Sequence, residues 1–140
     1  MVKIISIILI LMSNATINST SFKSTIKELS LKEKVAQILM VNVSSNDPSN
    51  KKNQWIIKNK VGGILLLGSQ FKNEKQIIKF TTKIKINQSI PLLIAIDQEG
   101  GKVNRIKTLP LPSKQWIGQS QSPLLVKAYA EEIGKYLSSI

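Results

Sequence analysis

The side chains best suited to chemistry stand together between Asp97 and Arg105. An apolar run, residues 92–96, gives way there to Asp97, Glu99, two glycines and Arg105, which is the only arginine in the chain. Because the chain has no His and no Cys, a general acid or base must be Asp, Glu, Lys or Tyr. The same absence excludes Ser-His-Asp catalysis, disulfide bonds, cysteine nucleophiles and zinc sites built from His or Cys.

The position of Asp97 at the end of an apolar run suggests a ligand face. In α/β folds the carboxyl ends of the strands carry the binding site. A buried carboxylate is costly unless it is paired, so Asp97 either serves a ligand or is satisfied by neighbours. Gly100 and Gly101 allow positive φ, so we expect Arg105 to return to the same end of the sheet as Asp97, where the two offer acceptors and forked donors to a ligand. An ordinary Gly-Gly turn carrying solvated charges remains the alternative, and the glycine spacing matches neither a dinucleotide site nor a P-loop.

Helices and apolar strands must position this segment, and capping residues and apolar runs in the sequence predict their order. Ser30 and Glu33 form a capping box that predicts a helix through Gln37, with Val35, Ile38 and Leu39 on one face. Strands are predicted over residues 38–43, 61–67 and 91–96. Asp47 followed by a proline predicts the start of a short helix that carries Trp55, Ile56 and Ile57.

Two later helices show apolar stripes at helical spacing. Asn73 caps the first, whose predicted core stripe is Ile77, Ile78, Phe80, Thr81 and Ile84. Ser122 and Pro123 open the second, whose predicted inward side chains are Leu124, Leu125, Ala128, Ile133 and Leu137. Glu131 and Glu132 are predicted to form a solvated face near Lys127 and Lys135.

Apolar strands that alternate with helices predict an α/β fold with a parallel sheet. A further strand would be expected after Ile140, so we expect an incomplete (β/α)8 TIM-like barrel with about the first three βα units. The barrel part is expected to span residues 29–140. A second chain could complete it.

The first residues resemble a secretory signal. Lys3 precedes an apolar run from Ile4 to Met12, and small residues lead to a cleavage site near Ala15. We therefore expect residues 1–15 to be a signal peptide, residues 16–28 to be a flexible leader, and the protein to be exported to the periplasm or beyond the cell. A hydrophobic first helix or an uncleaved anchor is the alternative.

The net charge of +12 comes from 19 Lys and one Arg against 8 acidic residues. The lysines are spread along the chain, and nucleic-acid sites favour Arg, so no nucleic-acid partner is expected. Richness in Lys, Ile and Asn is typical of AT-rich coding bias. Non-specific attraction to anionic wall polymer or lipid fits such a charge.

The segment Ile96–Arg105, reading IDQEGGKVNR, resembles the signature of family 3 glycoside hydrolases, in the β-N-acetylglucosaminidase branch. Its flanks agree: residues 29–37 are similar to the family's N-terminal helix, 61–66 to its second strand, and 109–113 to its Leu-Pro turn. The resemblance covers about Leu29 to Tyr136.

This resemblance implies a TIM-like barrel and retaining hydrolysis of terminal β-N-acetylglucosamine, typically from peptidoglycan fragments such as muropeptides. It assigns Asp97 and Arg105 to sugar binding. It leaves Glu99, Gly100, Gly101 and Lys102 to support the loop, with Glu99 pairing Lys102 or Arg105. It implies neither a cofactor nor a metal.

The sequence departs from the family pattern in two places. Lys102 replaces the signature's first arginine, and the second strand ends Leu67-Gly68-Ser69-Gln70 instead of Phe and a turn with Arg. The family's nucleophilic Asp and its His-containing acid/base loop would lie beyond Ile140, so no catalytic residue is expected within these residues.

Several alternatives stay open. Asp97 and Glu99 could themselves be the catalytic pair. The chain could also be a catalytically dead product that at most binds sugar, or a basic module that associates with wall or membrane. Trp55 and Trp116 could stack on sugar faces, although aromatics on such helices are more often core residues.

Overall fold

The computed structural model describes residues 26–86 and 88–140. The predicted signal peptide, residues 1–15, lies outside the described residues, and so does most of the predicted flexible leader. Residues 26–28 of that leader are described and are helical. Within the described ranges no helix is both long enough and apolar enough to cross a membrane.

Helices and strands alternate along the described residues, as predicted. The elements are, in order, α1 (Leu31–Gln37), β1 (Met40–Asn42), α2 (Lys51–Lys58), β2 (Gly63–Leu66), α3 (Glu74–Ile86), β3 (Leu93–Ile96), α4 (Lys114–Gln119) and α5 (Pro123–Ser138).

The three strands form one parallel sheet in the order β1-β2-β3. Ile64 in the central strand pairs with Val41 on one side and Ile94 on the other. Parallel neighbours joined by helices confirm the predicted α/β class and its βα units. The carboxyl ends of all three strands therefore lie at one end of the sheet.

The predicted strands are too long, and β1 shows the reason. Ser30 caps α1 and Glu33 reaches back to the Ser30 amide, so the predicted capping box is confirmed. The amides of Ile38 and Leu39 still bond to helix carbonyls, at 3.3 and 3.1 Å. Ile38 is the C-cap of α1, and extended backbone begins only at Met40.

The predicted start of α2 at Asp47 is wrong by three residues. The Asp47 carboxylate accepts hydrogen bonds from the amide and hydroxyl of Ser49, at 2.9 and 2.7 Å, and so forms a turn instead of a helix cap. Asn50 caps the helix, because its side chain accepts from the Lys52 amide at 3.0 Å.

The core lies between the sheet and the later helices. Ile64 of β2 and Ile84 of α3 are fully buried, and Ile133 of α5 is almost so. Of the predicted α3 stripe, Ile77, Phe80, Thr81 and Ile84 are buried, whereas Ile78 is 39% exposed and its prediction was wrong.

The fully buried side chains of α5 lie in its C-terminal half, and Tyr129 also packs against this core. Ile133 and Leu137 are buried as predicted. Leu124, Leu125 and Ala128 were predicted to turn inward and are exposed instead. Helical spacing correctly groups these side chains, but the first turns of α5 have nothing among the described residues that covers them.

Candidate functional site

The candidate site begins where β3 ends. Ile96 is the last residue of the strand, and Asp97 follows it directly at the carboxyl end of the sheet. Arg105 returns to the same place: its Nη2 lies 3.2 Å from Asp97 Oδ2, as a hydrogen bond and an ion pair. The predicted placement of both residues at this end of the sheet is confirmed. Their role in sugar binding stays a prediction.

Neither partner of this ion pair is fully satisfied by the protein. Asp97 Oδ1 and Arg105 Nε are both buried and have no hydrogen-bond partner. The two side chains remain partly exposed, at 21% for Asp97 and 35% for Arg105. The ion pair is therefore accessible from outside, while one buried atom of each partner lacks a hydrogen bond within the protein.

Gly100 and Gly101 turn the chain, as predicted. Both have positive φ, 76° and 58°. Gly100 forms an antiparallel bridge with Val103, and the Glu99 amide donates to the Val103 carbonyl at 2.8 Å. A Cβ on Gly100 would lie 2.2 Å from the Pro112 carbonyl oxygen. Both the backbone angle and the lack of space therefore require glycine here.

The predicted ion pair of Glu99 with Lys102 or Arg105 was wrong. Arg105 pairs with Asp97 instead, and the described residues contain no ion pair of Glu99 or Lys102. Lys102 is exposed. Glu99 supports the loop through its backbone, because its carbonyl accepts from the Tyr129 hydroxyl at 3.1 Å.

Tyr129 of α5 was not predicted to touch this loop. Its hydroxyl also lies within hydrogen-bond distance of the Pro112 carbonyl, at 3.3 Å, so it joins both ends of the turn. Burial raises the pKa of Tyr129, and the nearby charge of Glu99 raises it further. The hydroxyl therefore stays protonated, as these contacts to carbonyl oxygens require.

Gln98 is the buried polar centre of the loop, with only 1% of its surface exposed. Its Oε1 accepts from the amides of Arg105 and Ile106, at 2.8 and 3.0 Å. Its Nε2 donates to Asn104 Oδ1, and Asn104 Nδ2 donates to the Leu109 carbonyl at 2.9 Å. Sequence reasoning gave Gln98 and Asn104 no role. The available signal was an uncharged amide between two carboxylates, directly after a buried strand.

A pocket of about 510 Å³ adjoins Arg105 between the loop after β2 and the loop after β3. Phe71, Ile77 and Ile106 provide apolar lining, and Gly68 lies beside the arginine. Gly68 has φ 84°, and a Cβ there would lie 2.9 Å from the Arg105 side chain. Gly68, one of the residues that depart from the family pattern, thus leaves room for the stem of Arg105.

Comparison with known proteins places this geometry in a family. Residues 30–140 match the family described as "Glycosyl hydrolase family 3 N terminal domain". The chain belongs to glycosyl hydrolase family 3. The predicted family resemblance is therefore confirmed over nearly all of the described residues.

Relatives of this family 3 chain carry the name beta-hexosaminidase. The protein from Bordetella avium is 30% identical over 106 residues, which are 72% of this chain and 30% of that protein. The protein from Bordetella pertussis is 30% identical over 121 residues, or 79% of this chain and 34% of that protein. The chain thus spans about a third of the length of these curated relatives.

Solved structures confirm the partial barrel. A glycoside hydrolase family 3 beta-N-acetylglucosaminidase from Paenibacillus sp. str. FPU-7 matches 76% of this chain and 21% of its own, with TM-score 0.69 and 29% identity. NagZ from Neisseria gonorrhoeae, solved in complex with zinc ion, matches 65% of this chain and 28% of its own, with TM-score 0.54 and 29% identity. The incomplete (β/α)8 architecture predicted from the sequence agrees with these neighbours.

The two tryptophans of the family 3 chain are more than half exposed, Trp55 at 53% and Trp116 at 57%. The prediction that they are core residues was wrong. Neither lines the pocket beside Arg105, and Trp55 lies in a separate surface hollow with Val41 and Lys52. The predicted solvated face on α5 is confirmed by the exposed Lys127–Glu131 pair at 3.7 Å.

Within the described ranges, no group of three or more Asp, Glu, His or Cys residues could hold a metal ion. Asp97 and Glu99 are the carboxylates of the loop, and Asp97 is engaged by Arg105. The expected lack of a metal and of a cofactor stays a prediction.

Proposed function

We propose that this chain is the sugar-binding N-terminal part of a retaining β-N-acetylglucosaminidase. The observation that carries the proposal is the Asp97–Arg105 pair at the carboxyl end of the sheet, inside the DQEGG segment of a family 3 domain. The two solved neighbours are named a beta-N-acetylglucosaminidase and NagZ, and the curated relatives are named beta-hexosaminidases. Their names support the sugar and the linkage.

The chemistry of the pair suits a sugar hydroxyl. The Asp97 carboxylate can accept from a hydroxyl and the Arg105 guanidinium can donate to one, because both side chains remain partly exposed. Hydrogen bonds to ionised groups are stronger than neutral ones, so two such contacts would orient a terminal sugar ring. The adjoining pocket has the size of a small-molecule site and leaves space for a further part of the substrate.

Turnover would require groups from outside residues 26–140. Retaining hydrolysis with two carboxylates needs a nucleophile and an acid/base group about 5 Å apart on either side of the bond. Asp97 is held by Arg105, and the resemblance places the family's nucleophile and acid/base loop beyond Ile140. We therefore propose that a continuation of the polypeptide or a second chain supplies them. Without that part the chain binds sugar and does not cleave it.

The proposed substrate class is the terminal N-acetylglucosamine of peptidoglycan-type glycans, met after export. A signal-like segment at residues 1–15 and a net charge of +12 support an exported protein attracted to anionic wall polymer. Expression with the native first residues should release a protein that begins after Ala15. Full retention of those residues, determined by N-terminal sequencing, would contradict export by this signal.

Saturation-transfer NMR on the 140-residue chain tests sugar binding. N-acetylglucosamine should receive magnetisation from the protein, and the Asp97→Asn variant should strongly reduce the transfer. The matched control is Asp47→Asn, which alters an aspartate whose carboxylate is bound to Ser49 and does not line the pocket beside Arg105, and which should leave the transfer unchanged. Equal transfer to the wild type and Asp97→Asn would contradict the proposed site.

An assay with a chromogenic β-N-acetylglucosaminide tests whether the chain binds sugar without cleaving it. The 140-residue chain, freed of host hydrolases, should show no turnover because Asp97 is held in an ion pair by Arg105 and the resemblance places the nucleophile and the acid/base group beyond Ile140. Turnover that disappears in Asp97→Asn or Glu99→Gln would show instead that these two residues are the catalytic pair. Controls with Asp47→Asn would separate such an effect from a general loss of charge.

A further inference from the structure

Two consecutive amides, those of Arg105 and Ile106, point at one side-chain oxygen. Gln98 Oε1 accepts from both, at 2.8 and 3.0 Å, and the Gln98 side chain is almost fully buried. A buried amide that loses its acceptor is unfavourable, so the backbone at this point depends on Gln98. The side chain of Arg105 leaves the loop from this held backbone.

The orientation of the Gln98 amide is fixed from its other side. Nε2 donates to Asn104 Oδ1, and Asn104 in turn donates to the Leu109 carbonyl at 2.9 Å. Reversing either amide would place two acceptors or two donors against each other. Gln98 and Asn104 thus form one chain of hydrogen bonds that crosses the loop.

Arg105 has little freedom beyond this anchor. Its stem lies against Gly68, where even a Cβ would approach to 2.9 Å, and its guanidinium reaches Asp97 at 3.2 Å. The Arg105 side chain is therefore held at three points: at its backbone by Gln98, along its stem by Gly68, and at its guanidinium by Asp97. A shift of the Arg105 backbone would separate the guanidinium from Asp97.

We propose that Gln98, supported by Asn104, is a positioning residue that directs Arg105 toward Asp97 and so sets the affinity of the sugar site. The Gln98 side chain bonds to the Arg105 backbone, the Ile106 backbone and Asn104, not to the Arg105 guanidinium or the Asp97 carboxylate, so it acts through the Arg105 backbone. The affinity part rests on the proposed function, whereas the positioning part does not.

Hydrogen exchange measured at single amides tests the positioning part without any sugar. Gln98→Met keeps the length of the side chain and removes its acceptor and donor. The Arg105 and Ile106 amides should then exchange about tenfold faster or more, while β2 amides such as that of Ile64 keep their rates. Gln70→Met is the matched control, because Gln70 also follows a strand and donates to a backbone carbonyl at 3.1 Å.

Asn104→Ala covers the case in which Gln98→Met does not fold. It removes the group that orients the Gln98 amide and should cause a smaller acceleration at the same two amides. Unchanged exchange at Arg105 and Ile106, or equal acceleration through β2, would overturn the positioning role.

A double-mutant cycle tests the affinity part. Gln98→Met, or Asn104→Ala in its place, should weaken N-acetylglucosamine binding when Arg105 is present and cause no further loss in an Arg105→Ala background. Additive losses would show a merely structural role and overturn the proposal. If the wild type binds no sugar, the proposed function fails, and the exchange experiment still decides whether Gln98 positions Arg105.

Discussion

The loop of residues 97–113 and the apolar face of α1 differ in how many of their contacts the described residues supply. In the loop, the polar atoms of Gln98 and Asn104 meet partners from within the loop itself. On α1, the side chains of Leu31, Val35 and Ile38 lie at helical spacing and form one face, which we call the α1 face. Leu31 and Ile38 on it are 78% and 82% exposed.

This difference separates a local structure that the described residues stabilise by themselves from an apolar surface that they leave exposed. The loop is held by hydrogen bonds among its own residues and from Tyr129 of α5, so its geometry can be expected wherever the domain folds. The α1 face carries the pattern of a buried helix without anything among the described residues that buries it. An exposed apolar group of this kind marks a contact surface.

The largest effect should come from adding a side chain inside the loop. Gly100→Ala forces an alanine into φ 76° and places its Cβ 2.2 Å from the Pro112 oxygen. We expect the free energy of unfolding to fall by roughly 1–3 kcal/mol from strain and by a similar amount from overpacking. Denaturant titration measures this.

Gly134→Ala is the matched control for that substitution. Gly134 lies in α5, and a Cβ there meets nothing within 4 Å. The change should raise the free energy of unfolding by about 0.5–1 kcal/mol. Equal effects at the two glycines would show that the loop is not held as described.

A second prediction concerns the α1 face and self-association. The 140-residue chain should associate as its concentration rises, because this face is exposed and the outer edges of β1 and β3 pair with no further strand within the described residues. Leu31→Lys with Ile38→Lys should weaken the association in sedimentation velocity. Stability of the monomer should change by only about 0.5 kcal/mol, since both positions are largely exposed.

Ile86→Lys provides the control for these changes. Ile86 is 77% exposed at the end of α3, outside the α1 face, and its replacement should leave association unchanged. A monodisperse wild-type monomer with a sharp cooperative melt would contradict this account of the α1 face.

The smallest effect on the free energy of unfolding should come from Glu33, a charged residue in the first turn of α1. Hydrogen bonds from Lys60 and Ser30 lower the pKa of Glu33 from 4.5 to about 2, with Lys60 Nζ 2.6 Å from its carboxylate. A lowered folded-state pKa stabilises the fold above pH 4.5, and this contribution is lost as pH falls toward 2. The stability difference between wild type and Glu33→Gln should be present at pH 7 and vanish near pH 2. A constant difference in denaturant titrations across that range would contradict it.

The sequence was informative where local rules dominate. The Ser30 capping box and the Gly100-Gly101 turn depend on a few neighbouring residues, and both are confirmed. The apolar runs located all three strands. The end of β3 at Ile96 is confirmed, whereas the other strand ends were wrong because pairing decides them: β2 was predicted over residues 61–67 and pairs only over Gly63–Leu66.

Tertiary contacts account for what was missed. Helical spacing placed the apolar side chains of α5 on one face. It could not show that the core covers Leu137 and leaves Leu124 exposed. The motif brought Asp97 and Arg105 together, yet it assigned Glu99 an ion pair. That Gln98 meets two amides seven and eight residues away depends on the path of the loop, which no local pattern encodes.

The dissociation constant of N-acetylglucosamine for Asp97→Ala tests the central claim most directly. Losing one charge-assisted hydrogen bond is worth roughly 1.5–3 kcal/mol, so the constant should rise about ten- to a hundredfold relative to the wild type. Asp47→Ala should leave it unchanged. A dissociation constant for Asp97→Ala equal to that of the wild type would contradict the sugar site at the carboxyl end of β3.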